Sequence, residues 1–256
     1  MRQIKATGRE YGNFLRENKV LIGFILCCLG IGNFVYLKYS VKEILPDILL
    51  SYADRYILSA AKYYFILIVV PVGLFLLIKL SESRFYVTYI IRNKSFRNYW
   101  IKLSLYSVFH SLFLSASYLV IIFCVSVKKG TAWINFNEKR SLFYYFSKGK
   151  IEENVPFVFF LLIWFCFIFC MILLSSMAYL LCNWVSANRI FSFLLIIGLE
   201  YMDFFSDIPI SAFSRTSIFY DHWYPNIQFH FLDTLLIILL LFIIGMGYSK
   251  HKEIKG

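Results

Sequence analysis

The sequence predicts an all-α, polytopic integral membrane bundle of six transmembrane helices. Two observations predict it. Of 256 residues, 60% are hydrophobic, 20% aromatic and only 16% charged, whereas a soluble domain is about a quarter charged. A chain this apolar cannot hide its surface in a core of its own and needs the bilayer as solvent. The apolar residues are also gathered into six runs, 20–37, 63–80, 103–127, 155–182, 190–205 and 232–248. Each is near the length of about 20 residues that a helix needs to cross a bilayer.

The charged residues lie in the short segments between these runs. The net charge of +11 therefore reads as lipid-headgroup contact and positive-inside topology, and nucleic acid is not an expected partner. The polar lead-in is long and no small-residue cleavage site follows the first run, so that run is expected to remain as an anchor.

Residues 1–19 carry Arg2, Lys5, Arg9, Arg16 and Lys19, interleaved with Ile4, Tyr11, Phe14 and Leu15. This pattern suits an amphipathic interfacial helix in the headgroup region, or a solvated basic lead-in. In the first span Gly23, Gly30 and Gly32 are candidates for close helix approach. The segment 38–62 reads as a polar loop containing Pro46, Asp47, Asp54 and Arg55. Pro71 falls in the middle of the second span and should kink it.

The link 81–102 is the most basic connection, with Arg84, Arg92, Lys94, Arg97 and Lys102 against Glu82. Its centre can form a short helix with a polar tip at Arg92, Asn93, Lys94 and Ser95, and Trp100 then suits the membrane interface. The plainer reading is an interfacial turn that sets topology. The third span holds His110, Ser111, Ser115 and Ser117. An intramembrane histidine is a functional candidate by default, and a structural hydrogen bond to a neighbouring helix is the alternative.

The loop 128–154 is polar. The turn 183–189 is so short that the fifth span must run back beside the fourth, with Trp184 at the interface. Glu200, Asp203 and Asp207 lie at the end of the fifth span, the first two on one helix face. The segment 206–231 is broken by Pro209 and Pro225 and is a candidate re-entrant dip.

Six spans place both termini on one side. With the termini inside, the inner segments hold 15 Lys and Arg against 11 outside, which favours N-in/C-in. The loop 128–154 argues the other way.

No catalytic or cofactor-binding constellation is visible. The Gly-rich, lysine-bearing phosphate loop is missing, so the chain itself hydrolyses no nucleotide and is not expected to be an enzyme. An intramembrane protease built on Glu152 and Glu153 would need arginine four residues after the second glutamate, and Phe157 stands there. The six cysteines all fall inside apolar runs and suggest neither disulfides nor a metal site.

In span order the chain resembles the type-2 ABC transporter permeases, the small six-span subunits of bacterial exporters. The likeness rests on the amphipathic start, the basic link between spans two and three, the tight turn between spans four and five, and the broken segment before span six. The stretch with Arg92, Lys94, Ser95, Arg97 and Trp100 leading into span three is similar to the cytoplasmic lead-in of such permeases.

The resemblance implies a multi-pass subunit in a bacterial cell membrane, paired with a second permease as a homodimer or heterodimer. It implies a path for a peptide, lipid or other amphiphile, driven by a separate ATP-binding subunit. It further implies that Arg92, Asn93, Lys94 and Arg97 contact that ATPase, and that Glu200, Asp203 and Asp207 lie at an outer gate. The reading from another class is a non-transporting membrane immunity or sensor protein.

Overall fold

In the computed structural model, residues 2–44, 48–60, 64–82, 95–126, 131–147, 155–205 and 227–255 are described. Their regular elements are all helical: α1 (Arg2–Glu17), α2 (Lys19–Ile44), α3 (Tyr52–Ser59), α4 (Val70–Glu82), α5 (Phe96–Ser126), α6 (Leu142–Ser147), α7 (Phe157–Ser186), α8 (Arg189–Phe205) and α9 (Ile227–Lys255).

Among the described residues four helices are long and apolar enough to cross a membrane: Lys19–Tyr39, Phe96–Ser126, Phe157–Ser186 and Phe231–Lys250. This marks the chain as a membrane protein. The apolar helix Phe65–Ser81 is shorter, as is α8 with 17 residues.

The helices alternate in direction around α5. Gly73 of α4 lies against His110 and Leu114, while Phe65 reaches Tyr118, so the second segment runs opposite to α5. Met177 meets Ser107 and Trp164 meets Tyr118, so α7 also opposes α5. Ser192 meets Ser186 and Glu200 meets Ser175, which reverses α8 on α7. Gly245 faces Trp100, and Leu235 shares a groove with Val108, so α9 opposes α5 again.

Pro71 stands in the middle of a continuous helical stretch, residues 64–82, as expected, and the missing N–H falls just after a local change of helix type. The chain reaches it through a π-helical turn, Phe65–Val69, in which the Val70 N–H donates to the Phe65 carbonyl five residues back. The widened turn accommodates the proline ring.

The stretch 38–62, expected to be a loop, departs furthest from expectation. α2 continues to Ile44, and α3 is a buried helix with a reciprocal cap. Ser51 Oγ accepts from the Asp54 N–H at 3.1 Å, and the Asp54 carboxylate accepts from the Ser51 N–H at 2.9 Å. Residues 131–147 fold against it. The Leu49 N–H donates to the Arg140 carbonyl, the Tyr52 N–H to Ala132 and the Ala53 N–H to Trp133. Phe136 stacks on Phe143 with ring centroids 4.0 Å apart, and Tyr52 on Trp133 at 4.7 Å. The two segments form one packed cap over the end of the bundle opposite the termini. Tyr56, Ile57, Phe136 and Phe143 supply the apolar area that overrides the local charge.

Candidate functional site

Three sets of polar groups inside the bundle are built well enough to support chemistry or coupling. The first joins α1 to α5. The helical bonding passes from α1 into α2 through Asn18, whose N–H donates to Phe14 while its carbonyl accepts from Ile22. α1 runs alongside α5 in the same direction: Gln3 donates to the Asn98 carbonyl, Lys102 pairs with Glu10 at 2.8 Å, and the Tyr106 hydroxyl donates to the same carboxylate. Thr7, Tyr11 and Phe14 of this helix are buried against the bundle. Burial pushes the Tyr11 phenol well above its ordinary pKa, so it serves as a hydrogen-bond donor.

His110 sits at the centre of the second set. Its Nε2 lies 2.8 Å from the Gly73 carbonyl. A carbonyl only accepts, so Nε2 carries the hydrogen and Nδ1 faces the Tyr11 hydroxyl at 3.4 Å. The histidine thereby ties α4 and α1 to α5. Nearby, the Tyr118 hydroxyl donates to the Ser59 carbonyl at 2.7 Å and accepts from Asn33 Nδ2 at 3.2 Å. The Tyr64 hydroxyl donates to the Leu29 carbonyl at 2.7 Å.

The third set lies between α7 and α8. Ser175 Oγ donates to Glu200 Oε1 at 2.5 Å, and Glu200 is 1% exposed. Glu200 stands eleven residues from the start of α8, about 17 Å along the helix. Glu200 is thus a buried carboxyl in the seam between α7 and α8.

Of the other expected site residues, Arg97 is exposed in the first turn of α5. The separate short helix expected around it is absent for residues 96–100, which belong to α5 itself. Arg92, Asn93, Lys94 and Asp207 lie outside the described residues, and for Asp203 only the helical backbone is described. The turn 183–189 contracts to Ala187 and Asn188 because α7 continues to Ser186, where Ala187 turns the chain in the left-handed region at φ 54°.

Trp100 and Trp184 are also corrected. Both are buried in protein rather than held among headgroups. Trp100 Nε1 donates to the Phe242 carbonyl at 3.0 Å and Trp184 Nε1 to Ser249 Oγ at 3.2 Å, so each indole satisfies its polar edge on α9.

No family model, curated protein or solved structure matches this chain. Its reading rests on its own geometry.

Among the described residues no group of three His, Cys, Asp or Glu side chains is placed to hold a metal ion. The arrangement links helices and buries one carboxyl, Glu200, inside the bundle. Sequence reasoning missed the Glu10–Lys102–Tyr106 junction. Its signal was an acid, Glu10, directly after the basic stretch from Arg2 to Arg9.

Proposed function

We propose that the chain is the membrane-spanning permease subunit of an ABC-type exporter. It would form part of a path for a peptide, lipid or other amphiphile, driven by a separate ATP-binding subunit. In this reading α2, the Phe65–Val69 turn with α4, α5, α7, α8 and α9 are six spans of a bacterial cytoplasmic-membrane protein with both termini inside. The permease acts as a homodimer or with a second permease.

The observation that carries the reading is the continuity of α5. This 31-residue helix starts beside the basic link, at Arg97, and runs unbroken into the bundle. There its side chains touch α1, α2, α3, α4, α7 and α9. A push delivered at Arg97 is thus transmitted to the other helices by a rigid rod. Arg92, Asn93, Lys94 and Arg97 would receive that push from the ATPase, and Glu200, Asp203 and Asp207 would line the outer gate.

The packed cap formed by 48–60 and 131–147 favours a second reading, a non-transporting immunity or sensor protein that presents this surface outward. A detergent pull-down of the wild type beside Arg92→Glu/Arg97→Glu separates the two. An ATPase that co-purifies with the wild type and is lost on charge reversal supports the permease. Folded protein that retains no ATPase in either form overturns it and leaves the second reading.

A further inference from the structure

The seam where α4, α7 and α8 pack together contains polar groups that the bundle leaves unsatisfied. At about 100° per residue, Ser175, Ser176, Tyr179 and Asn183 fall on one side of α7, within an arc of about 100°. Ser176 and Tyr179 are fully buried and Asn183 is 3% exposed. Ser176 Oγ and Asn183 Nδ2 have no hydrogen-bond partner in the protein, and the Tyr179 hydroxyl has none of good geometry, its nearest polar side chain being Ser81. Ser81 of α4 and the Arg189 guanidinium, at the start of α8, face Tyr179.

These groups form a line. It begins at Asn183, near the end of the bundle that carries both termini, and climbs about 12 Å at 1.5 Å per residue to Ser175. Ser175 then donates to Glu200. Buried donors and acceptors without protein partners are where ordered water resides. Here they sit one helical turn apart, which suits a chain of waters ending at a carboxyl.

We propose that this seam is a hydrated proton-access track, open toward the end of the bundle that carries the termini, through which Glu200 takes up and releases a proton. Water supplies the proton and receives it back, and no bond other than O–H changes. Among the described side chains, Lys79 of α4 and Arg189 of α8 are the charged groups on the helices that enclose the seam. Tyr179, Cys170 and Cys182 are the titratable groups that α7 adds. The Arg189 guanidinium lies beside Tyr179 along the track. The proposal requires that the bundle span the membrane and does not depend on coupling to an ATPase.

The test is infrared difference spectroscopy of the full chain in lipid vesicles, with transfer from H2O to D2O. The wild type is expected to show a protonated-carboxyl band that is absent in Glu200→Gln and shifts on transfer to D2O. In Ser176→Val/Asn183→Leu that exchange should slow by about tenfold or more, as expected when a water chain is broken. Gel filtration and circular dichroism establish folding of each variant. If the double variant does not fold, Tyr179→Phe removes one hydroxyl of the track while keeping the ring and carries the same comparison. The proposal is overturned if no band in the accessible pH range depends on Glu200, if the band does not exchange, or if exchange is as fast in the folded track variant as in the wild type.

Discussion

A methyl group at position 245 has nowhere to go. A Cβ there would lie 2.1 Å from the Trp100 indole, and that ring is fixed by its bond to the Phe242 carbonyl and by contacts with Trp184. Gly247, two residues on, has nothing within 4 Å of the same point. We expect Gly245→Ala to destabilise the fold by about 1–3 kcal/mol through overpacking, with Gly247→Ala close to neutral. Thermal unfolding of both variants in detergent checks this, and equal midpoints would refute it. The glycines singled out in the first span show why sequence reading stops short here. Gly32 is held against the Tyr64 hydroxyl, Gly30 makes ordinary contact with Ile121, and Gly23 faces open space. Three identical residue types meet three surroundings, and only the neighbouring helices distinguish them.

At the scale of elements, four long apolar helices were legible and the cap was not. The spans announce themselves by unbroken hydropathy. In the cap, Asp54, Arg55, Glu138 and Arg140 outweigh the apolar signal locally, and the apolar residues that matter are split between segments some eighty residues apart. The helical spacing of Ala53, Tyr56, Ile57 and Ala60, all buried, was the available clue.

The cap should respond to pH through Asp54. Burial raises its carboxyl from an ordinary 3.8 to about 6, against the opposing bonds from Ser51 and Phe143 and with a smaller push from Glu138. The folded state therefore holds a proton that the unfolded state has already lost between these values. Its contribution to stability is greatest below pH 4, declines as pH rises to about 6 and is level above. The difference between those limits is about 3 kcal/mol. Thermal midpoints of the wild type minus those of Asp54→Asn, taken from pH 4 to pH 7, should show this decline. A difference that is flat with pH would show that the carboxyl titrates normally.

For the whole molecule, alternating helix directions bring Gln3, Arg97, Asn183 and Lys250 to one end and the cap to the other. We expect Lys5→Cys, in a background without native cysteines, to be shielded from an impermeant thiol reagent in intact cells, while Lys139→Cys in the cap reacts. Reversed labelling would invert the bundle, and labelling of both would refute the three crossings expected between the two positions. The Lys and Arg bias that pointed to this orientation is a property of short loops. It survives the discovery that two of those loops are folded, because the rule acts on charges beside spans during insertion.

The sequence by itself determined that this chain is helical and lives in a membrane, since hydropathy summed over some twenty residues exceeds any local correction. It also marked the tight reversal between α7 and α8. Tertiary structure alone decided that α1 packs on α5, that both buried tryptophans close onto α9, and that Glu200 meets Ser175 inside the bundle. Lipid tails and helix surfaces are equally apolar, so hydropathy cannot tell which face meets which. In a membrane that choice falls to close packing and to the pairing of polar groups, which depend on residues far apart in the chain.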